Sequence, residues 1–328
     1  MIETIFIGDP HVVPDELDDC ENLLRLVEEV AGKHPDAAIV FLGDQHDKHA
    51  IVHLKVIAFW RRWFARLGGK NRCFALVGNH DREVRAAAVG SPNVMESYLD
   101  VCNVALPAID MGPLTLVSHE PDPVTFANLV SGCGLPQVLV CHQTFLGSPG
   151  AELQSDAMMA PPVRRVISGH LHSPHSFDVR DGHTEVWYPG APRWRTITDA
   201  QHQGRAVWWT RFTGSDYVRR PYYTSAHCRP IMVLEDTPEE PIDPATLLKG
   251  TDWRVNVRGD RARVAERCAL LKAHAVPRPF PDRAEAPAGI SERQPPEEAL
   301  ERFLGVFQPP RGTSPERMRC LIQEAMAT

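Results

Sequence analysis

The sequence predicts a layered α/β protein, mixed β-sheets flanked by helices, with a small C-terminal α+β region. Three observations predict it. Short apolar runs alternate with helical patterns through the first 220 residues, the last strands of that stretch succeed one another with little helix between them, and Pro-rich acidic segments set off the C-terminal remainder. Strands separated by helices pair in parallel, and closing strands joined by short loops add antiparallel neighbours.

Strands are expected at TIFIG (4–8), AIVFLG (38–43), CFALVG (73–78), LTLVS (114–118), VLVC (138–141), RVIS (165–168), TEVWYP (184–189) and AVWWTRF (206–212). Between the first two, Leu17, Cys20, Leu24, Val27 and Val30 recur at helical spacing after the acidic start Pro14-Asp15. A second helix is expected over 51–67, stopped by Gly68-Gly69, and further helical patterns fit 95–101 and 123–130. Segments 235–250 and 277–297 are rich in Pro and acid and read as linkers. Between them WRVNVRGDRARV reads as a hairpin or strand pair about Gly259-Asp260, followed by a helix to about His274. A last helix is expected over 315–326. The expected division is a core domain at 1–220, a small region at 221–276, and a Pro-rich linker with a terminal helix at 277–328.

The 328-residue chain carries a formal charge of −7, so any phosphate-bearing substrate must be held by something other than bulk charge. No run approaches the roughly 18 to 20 apolar residues that span a bilayer, and the N-terminal residues lack a signal-peptide pattern. A cytoplasmic or nucleoid-associated location is expected, with no membrane partner. The 8 cysteines lie singly, as reduced and packed thiols do; Cys141, beside a histidine, is expected to be one of these.

The 15 histidines are the unusual feature of the composition, and they cluster by position. GDPH (8–11), GDQHD (43–47), GNHD (78–81), CHQ (141–143) and GHLH (169–172) each follow an expected strand, so five dispersed segments converge beyond the carboxyl ends of a sheet. Gly8, Gly43, Gly78 and Gly169 allow sharp turns and close approach there. Asp, His and Asn together offer hard oxygen and borderline nitrogen donors, enough for two divalent ions; a structural zinc site would use thiolates. Two ions sharing a carboxylate form the arrangement that clamps phosphoryl oxygens.

These five blocks, in this order and spacing, resemble the signature of the calcineurin-like metallophosphoesterases over residues 1–195. The resemblance implies that Asp9, His11 and His172 bind a first ion and Asn79, His142 and His170 a second, with Asp44 bridging. It further implies that His80 lies over the scissile phosphate and that Asp81 orients it by accepting its other ring proton. Asp47 is a secondary candidate for contact or loop support. His119, after the fourth strand, competes with His142 for one ligand place, and His142 is preferred for its position before GHLH. His34, His49, His53, His202, His227 and His274 read as surface or packing residues, and Trp208 and Trp209 as core.

GDQHD is followed by Lys48 rather than the Arg-Gly of phosphoprotein phosphatases. CHQ-Thr-Phe, GHLH and YPGAPRW (188–194) resemble instead the SbcD-type (meiotic-recombination-eleven) nuclease subunit, shortened as a compact viral homologue would be. That resemblance implies a manganese-dependent DNA exonuclease and endonuclease, with Mg²⁺, Fe²⁺ or Zn²⁺ as alternative ions. In-line attack on phosphorus would come from a hydroxide held between the ions, assisted by His80. The implied partners are DNA, an SbcC-type SMC-like ATPase and a second copy in a homodimer. Residues 221–276 would cap the core and contact DNA through Arg254, Arg258, Arg261 and Arg263, and 277–328 would dock the ATPase. A small-molecule or cyclic-nucleotide phosphodiesterase or phosphatase of the same superfamily is the alternative.

Overall fold

A computed structural model describes residues 1–281 apart from 85, 86, 135, 180, 181, 203, 214 and 215. The terminal helix expected at 315–326 lies outside the described residues. Strand β1 (Ile2–Ile7) is followed by α1 (Leu17–Lys33), β2 (Ala38–Phe41), α2 (Leu54–Arg66), β3 (Cys73–Ala75) and β4 (Asn103–Val104). Then come β5 (Ala108–Asp110), β6 (Leu114–Val117), α3 (Pro123–Gly132), β7 (Val138–Cys141), β8 (Arg165–Ser168), β9 (His175–Val179) and β10 (Thr184–Tyr188). β11 (Ala206–Thr213) and β12 (Asp216–Tyr223) complete this part.

These strands make two six-stranded sheets, ordered β12-β11-β1-β2-β3-β4 and β5-β6-β7-β8-β10-β9. In the first, β1 to β4 are parallel, and β11 returns antiparallel along β1. In the second, β6, β7, β8 and β10 are parallel, with antiparallel β5 and β9 at the edges. The sheets are mixed, as the pattern predicts.

Period-two alternation explains the layering. In β1, Ile5 and Ile7 face α1 and α2, packing with Leu24, Val27, Trp60 and Phe64, while Phe6 turns to the opposite side. There it meets Val40, Leu42, Leu116, Val140 and Ile167, which fill the space between the sheets. In β7, Leu139 and Cys141 face outward to Phe126 and Val130 of α3. Helix, sheet, sheet, helix is therefore the stacking order, and the central strands are buried on both faces, which is why they read as continuous apolar runs. Trp209 joins the outer core and Trp208 packs on the inner one, as expected. Cys141 is buried, and burial pushes its thiol up to about 12.

The remainder departs from expectation. β12 runs through the boundary placed at 220/221. A third sheet, all parallel in the order β13-β14-β15, consists of β13 (Ile231–Asp236), β14 (Asp252–Gly259) and β15 (Val276–Pro281), with α4 (Arg261–Leu271) crossing from β14 to β15. Gly259-Asp260 is therefore a strand-to-helix turn, and no hairpin forms. Asp260 caps α4 by accepting from the Arg263 N–H at 2.9 Å, and Val264, Cys268 and Leu271 present an apolar helical face to Val255 and Val257. The start of the supposed linker at 277 is strand β15, and Leu247 of the other linker is buried in this small core. The third sheet sits against the first through Ile231, which joins the α1 core, and through the Arg229 N–H, bonded to Asp19 at 2.7 Å. Among the described residues no helix is long and apolar enough to cross a membrane.

Candidate metal centre

Parallel pairing brings the carboxyl ends of β1, β2, β3, β7 and β8 to one edge, where both sheets contribute. The loops after β1 and β2 are laced together by the His11 N–H to Asp44 O (2.9 Å) and the Val12 N–H to Gln45 O (3.0 Å). Buried Arg193 pins the first loop, donating to Pro10 O at 2.9 Å and His11 O at 2.8 Å. Three polar residues hold left-handed backbone: His11 (φ 44°), Asp44 (φ 52°) and His170 (φ 79°). Each costs on the order of 1 kcal/mol, which the surrounding bonds must outweigh. Of the four glycines singled out, only Gly43 (φ 106°) has the turn conformation expected. Gly78 is required by space: a Cβ there would lie 2.1 Å from Asp44 Oδ1.

The side chains converge on Asp44, which is 2% exposed. Its Oδ2 lies 3.5 Å from His11 Nε2 and 3.3 Å from His142 Nε2, and its Oδ1 accepts the His80 N–H at 2.8 Å. Two triplets offer ligand atoms within 4.8 Å of one another, His11–Asp44–His80 and Asp44–His142–His170. Asp44 is common to both. His11 Nε2 meets His172 Nε2 at 3.0 Å, and Asn79 Oδ1 lies 3.0 Å from His142 Nε2 and 2.9 Å from His170 Nδ1. Asp9 Oδ1 accepts the His170 N–H at 2.9 Å, while its Oδ2 is buried with no hydrogen-bond partner among the described residues. All seven residues read as ligands thus share one cluster.

Outer contacts fix the rings. His142 donates Nδ1–H to Leu42 O at 2.7 Å, which directs Nε2 to the cluster. His172 Nδ1 faces Asp199 Oδ1 at 3.6 Å, and Gln154 Oε1 lies 3.2 Å from His170 Nε2. Asp199 is itself held by Arg205 at 2.7 Å and by a capping box with Thr196. Asp199, Gln154, Arg193 and Arg205 escaped the sequence reading. The box Thr196-x-x-Asp199 was the one available signal, and it points to a helix start rather than to a histidine.

The expected link between Asp81 and His80 does not form. His80 donates Nδ1–H to the carbonyl of Asp47 at 2.6 Å. Asp81 accepts the N–H groups of Gly78 and His46, both at 2.9 Å, and so ties the loops after β2 and β3. The short GNHD turn aims its carboxylate back at the chain. The Asp47 carboxylate pairs with Arg195 and lies 3.7 Å from His11 Nδ1. His49, read as a surface or packing residue, stacks on His80 with ring centroids 4.4 Å apart. His119 is buried, with its ring 6.0 Å from that of His142 and its Nε2 3.7 Å from Asp156; it is His142 that touches Asp44 and Asn79.

Burial opposes charge throughout. Desolvation pulls His142 down, but Asp44, by charge and hydrogen bond, and Asp9 outweigh it and hold the ring up at about 9. Desolvation and the neighbouring His142 depress His170 to about 3. Desolvation, reinforced by Asp44, raises Asp81 to about 7. Two buried carboxylates around one imidazolium, with lone pairs from neutral imidazoles and an amide oxygen turned inward, are a donor set that divalent cations fit.

Of the four arginines expected to contact DNA, three are paired with acidic side chains. Arg254 pairs with Asp252 at 2.5 Å, Arg258 with Glu235 at 2.7 Å and Arg263 with Asp236 at 2.7 Å. Arg261 is exposed.

Paired α/β sheets with a buried Asp/His/Asn cluster straddling their carboxyl edge define a metal-dependent hydrolase of phosphate esters. A family model for calcineurin-like phosphoesterases matches residues 2–174, just over half of the chain, and the protein belongs to that family. No curated protein matches the chain.

Proposed function

We propose that the protein is a two-metal phosphodiesterase acting on DNA, the exonuclease and endonuclease subunit of an SbcCD-like repair or recombination complex. The observation that carries the two-metal reading is Asp44, whose Oδ2 lies 3.5 Å from His11 Nε2 and 3.3 Å from His142 Nε2, one member of each proposed ligand set. In this reading Asp9, His11 and His172 hold one ion, Asn79, His142 and His170 the other, and Asp44 both. Manganese is the proposed native ion.

Bound divalent ions supply Lewis-acid charge toward a phosphoryl group. The chain's own residues do the rest. The His142 Nδ1–H bond to Leu42 O and the Asp199 carboxylate facing His172 Nδ1 orient the two rings so that each Nε2 points into the cluster, where it would offer a lone pair to a bound ion on giving up its proton. His80, with Nδ1–H committed to Asp47 O, turns Nε2 toward the substrate, where it accepts a hydrogen bond when neutral and passes a proton to the leaving oxygen when charged. Asp81 holds the two loops in register so that His80 and Asp44 keep their spacing. The DNA part of the reading is supported by the blocks CHQ-Thr-Phe, GHLH and YPGAPRW and by the third sheet, whose Ile231, Asp252 and Arg254 line one cleft with Arg193 and Arg195. The SbcC-type ATPase and a homodimer belong to the same proposal.

The acid-paired arginines favour a second reading, a small-molecule or cyclic-nucleotide phosphodiesterase. The two are separated by assaying 3′-labelled duplex, single-stranded DNA, bis-nitrophenyl phosphate and cyclic nucleotides with Mn²⁺, Mg²⁺ and chelator. Cleavage of both DNA forms with Mn²⁺, abolished by chelator, is expected. Hydrolysis of the model diester with DNA left intact would establish the second reading. His80→Ala should retain both ions and lose about 10²- to 10⁴-fold in kcat; loss of an ion instead would make His80 a ligand.

A further inference from the structure

Strand β12 (Asp216–Tyr223) is an outermost strand of the first sheet and, at 8 residues, the longest outer strand among the described residues. β11 pairs with one of its edges, and no described strand pairs with the other. An open edge of that length is a template for a further strand.

The register shows which backbone groups this edge offers. The Thr224 N–H donates to Arg205 O at 3.0 Å, a pair that extends the register Ala206↔Tyr223 by one step. Bonded and unbonded positions alternate along an antiparallel pair, so the even-numbered residues of β12 turn their N–H and C=O groups toward β11. Tyr217, Arg219, Pro221 and Tyr223 turn theirs outward. Pro221 fits this phase, because it has no N–H and an outward position owes none to β11. Val218 is 63% exposed, and Asp216 and Arg220 are exposed as well, which leaves the approach open.

We propose that this edge pairs with the same strand of a second copy of the chain, antiparallel about a two-fold axis at Val218, so that the first sheets of the two copies become continuous. Phase and charge together select that register. Outward positions bond only to outward positions, so the axis must pass through a residue. An axis at 219 or 220 sets an arginine against its own copy, and one at 220 or 221 places Pro221 where an N–H is needed. An axis at 217 opposes Arg219 to residue 215, beyond the strand. At 218 these faults disappear. Tyr217 and Arg219 of the two copies exchange both backbone bonds, and Asp216 stands opposite Arg220 on either side of the axis. Asp216 lies 3.9 Å from Arg164 in its own chain, with both side chains largely exposed, a contact weak enough to exchange. Arginine and proline on an edge also discourage indiscriminate pairing; here they leave one register open. The proposal does not depend on the substrate.

The test is sedimentation equilibrium of the full chain over about 1 to 100 µM, the range suited to a small interface, where a reversible monomer–dimer equilibrium is expected. Asp216→Arg and Arg220→Asp should each weaken the dimer about tenfold, and the double reversal should restore it. Within one chain the two positions are about 13 Å apart along the strand, so recovery can come only from contact between copies. Val218→Cys should give a disulfide-linked dimer on oxidation, because facing residues at an unbonded position have Cα atoms about 4.5 Å apart. Arg220→Cys, which faces Asp216 instead, should give none. A wild type that stays monomeric would overturn the proposal. So would a dimer indifferent to the single reversals, or a double reversal without recovery, and either would leave a homodimer to another surface.

Discussion

Two buried aspartates, Asp44 at the sheet edge and Asp236 in the third sheet, are equally hidden from solvent and surrounded by different chemistry. Asp236 accepts from Arg263 at 2.7 Å, from Arg267, and from the Ile242 N–H at 3.1 Å. Guanidinium groups stay protonated and have no lone pair to offer a cation, so that cluster is closed. Asp44 is met by His11 and His142 at 3.3 to 3.5 Å, too long for short charge-assisted bonds, and an imidazole can exchange its proton for a metal. A buried carboxylate alone says little. Its partners decide whether the site fastens a fold or carries chemistry.

The comparison breaks most visibly through Gly78. Gly78→Ala would drive a Cβ to within 2.1 Å of Asp44 Oδ1 and 2.3 Å of Asp44 N. Metal affinity and diester hydrolysis should fall about 100-fold with far-UV circular dichroism unchanged; full occupancy of two ions per chain would show that Asp44 is not the shared vertex. Next in size, Asp236→Asn should leave metal content untouched and cost about 2 kcal/mol in urea unfolding, because two partly exposed arginines lose their counter-charge. A loss of ions in that variant would erase the distinction between the two sites.

The smallest effect is in pH. Burial raises the Asp236 pKa, but hydrogen bonds from Arg267, the Ile242 N–H and Arg263 overcome it and leave the group below the usual aspartate range. A depressed folded-state value means that the stabilisation is present above the unfolded value of about 4 and is lost as pH falls below it. The stability gap between wild type and Asp236→Asn should therefore hold from pH 7 to about 5 and narrow below pH 4. A gap that stays constant down to pH 3 would mean that the Asp236 charge contributes nothing.

The core strands were legible because burial on both faces leaves uninterrupted apolar runs, and all eight expected runs are strands. Strands β4, β5, β9 and β12 were not: the first two are only 2 and 3 residues long, and β9 and β12 are edge strands with polar, partly exposed side chains. The third sheet was misread at Gly259-Asp260, where a turn pair and a helix cap look alike in sequence. The cluster was legible because its residues sit next to strand ends, and parallel pairing turns sequence adjacency into spatial convergence. Its supports were not. Leu42 acts through a carbonyl that any residue has, and Asp199 and Gln154 reach their histidines only through tertiary packing.

The proposed ligands are shared between the two sheets, four from one and three from the other. Asp9, His11, Asp44 and Asn79 follow β1, β2 and β3 of one sheet, and His142, His170 and His172 follow β7 and β8 of the other. Ions bound there would fasten the two sheets at one edge as well as serve substrate. Folding and ion supply would then be linked by mass action, each ion adding stability in proportion to the logarithm of its free concentration over its dissociation constant. A cell short of the metal would lose enzyme to unfolding as well as to idle active sites, and its surviving protein would be a gauge of the ion.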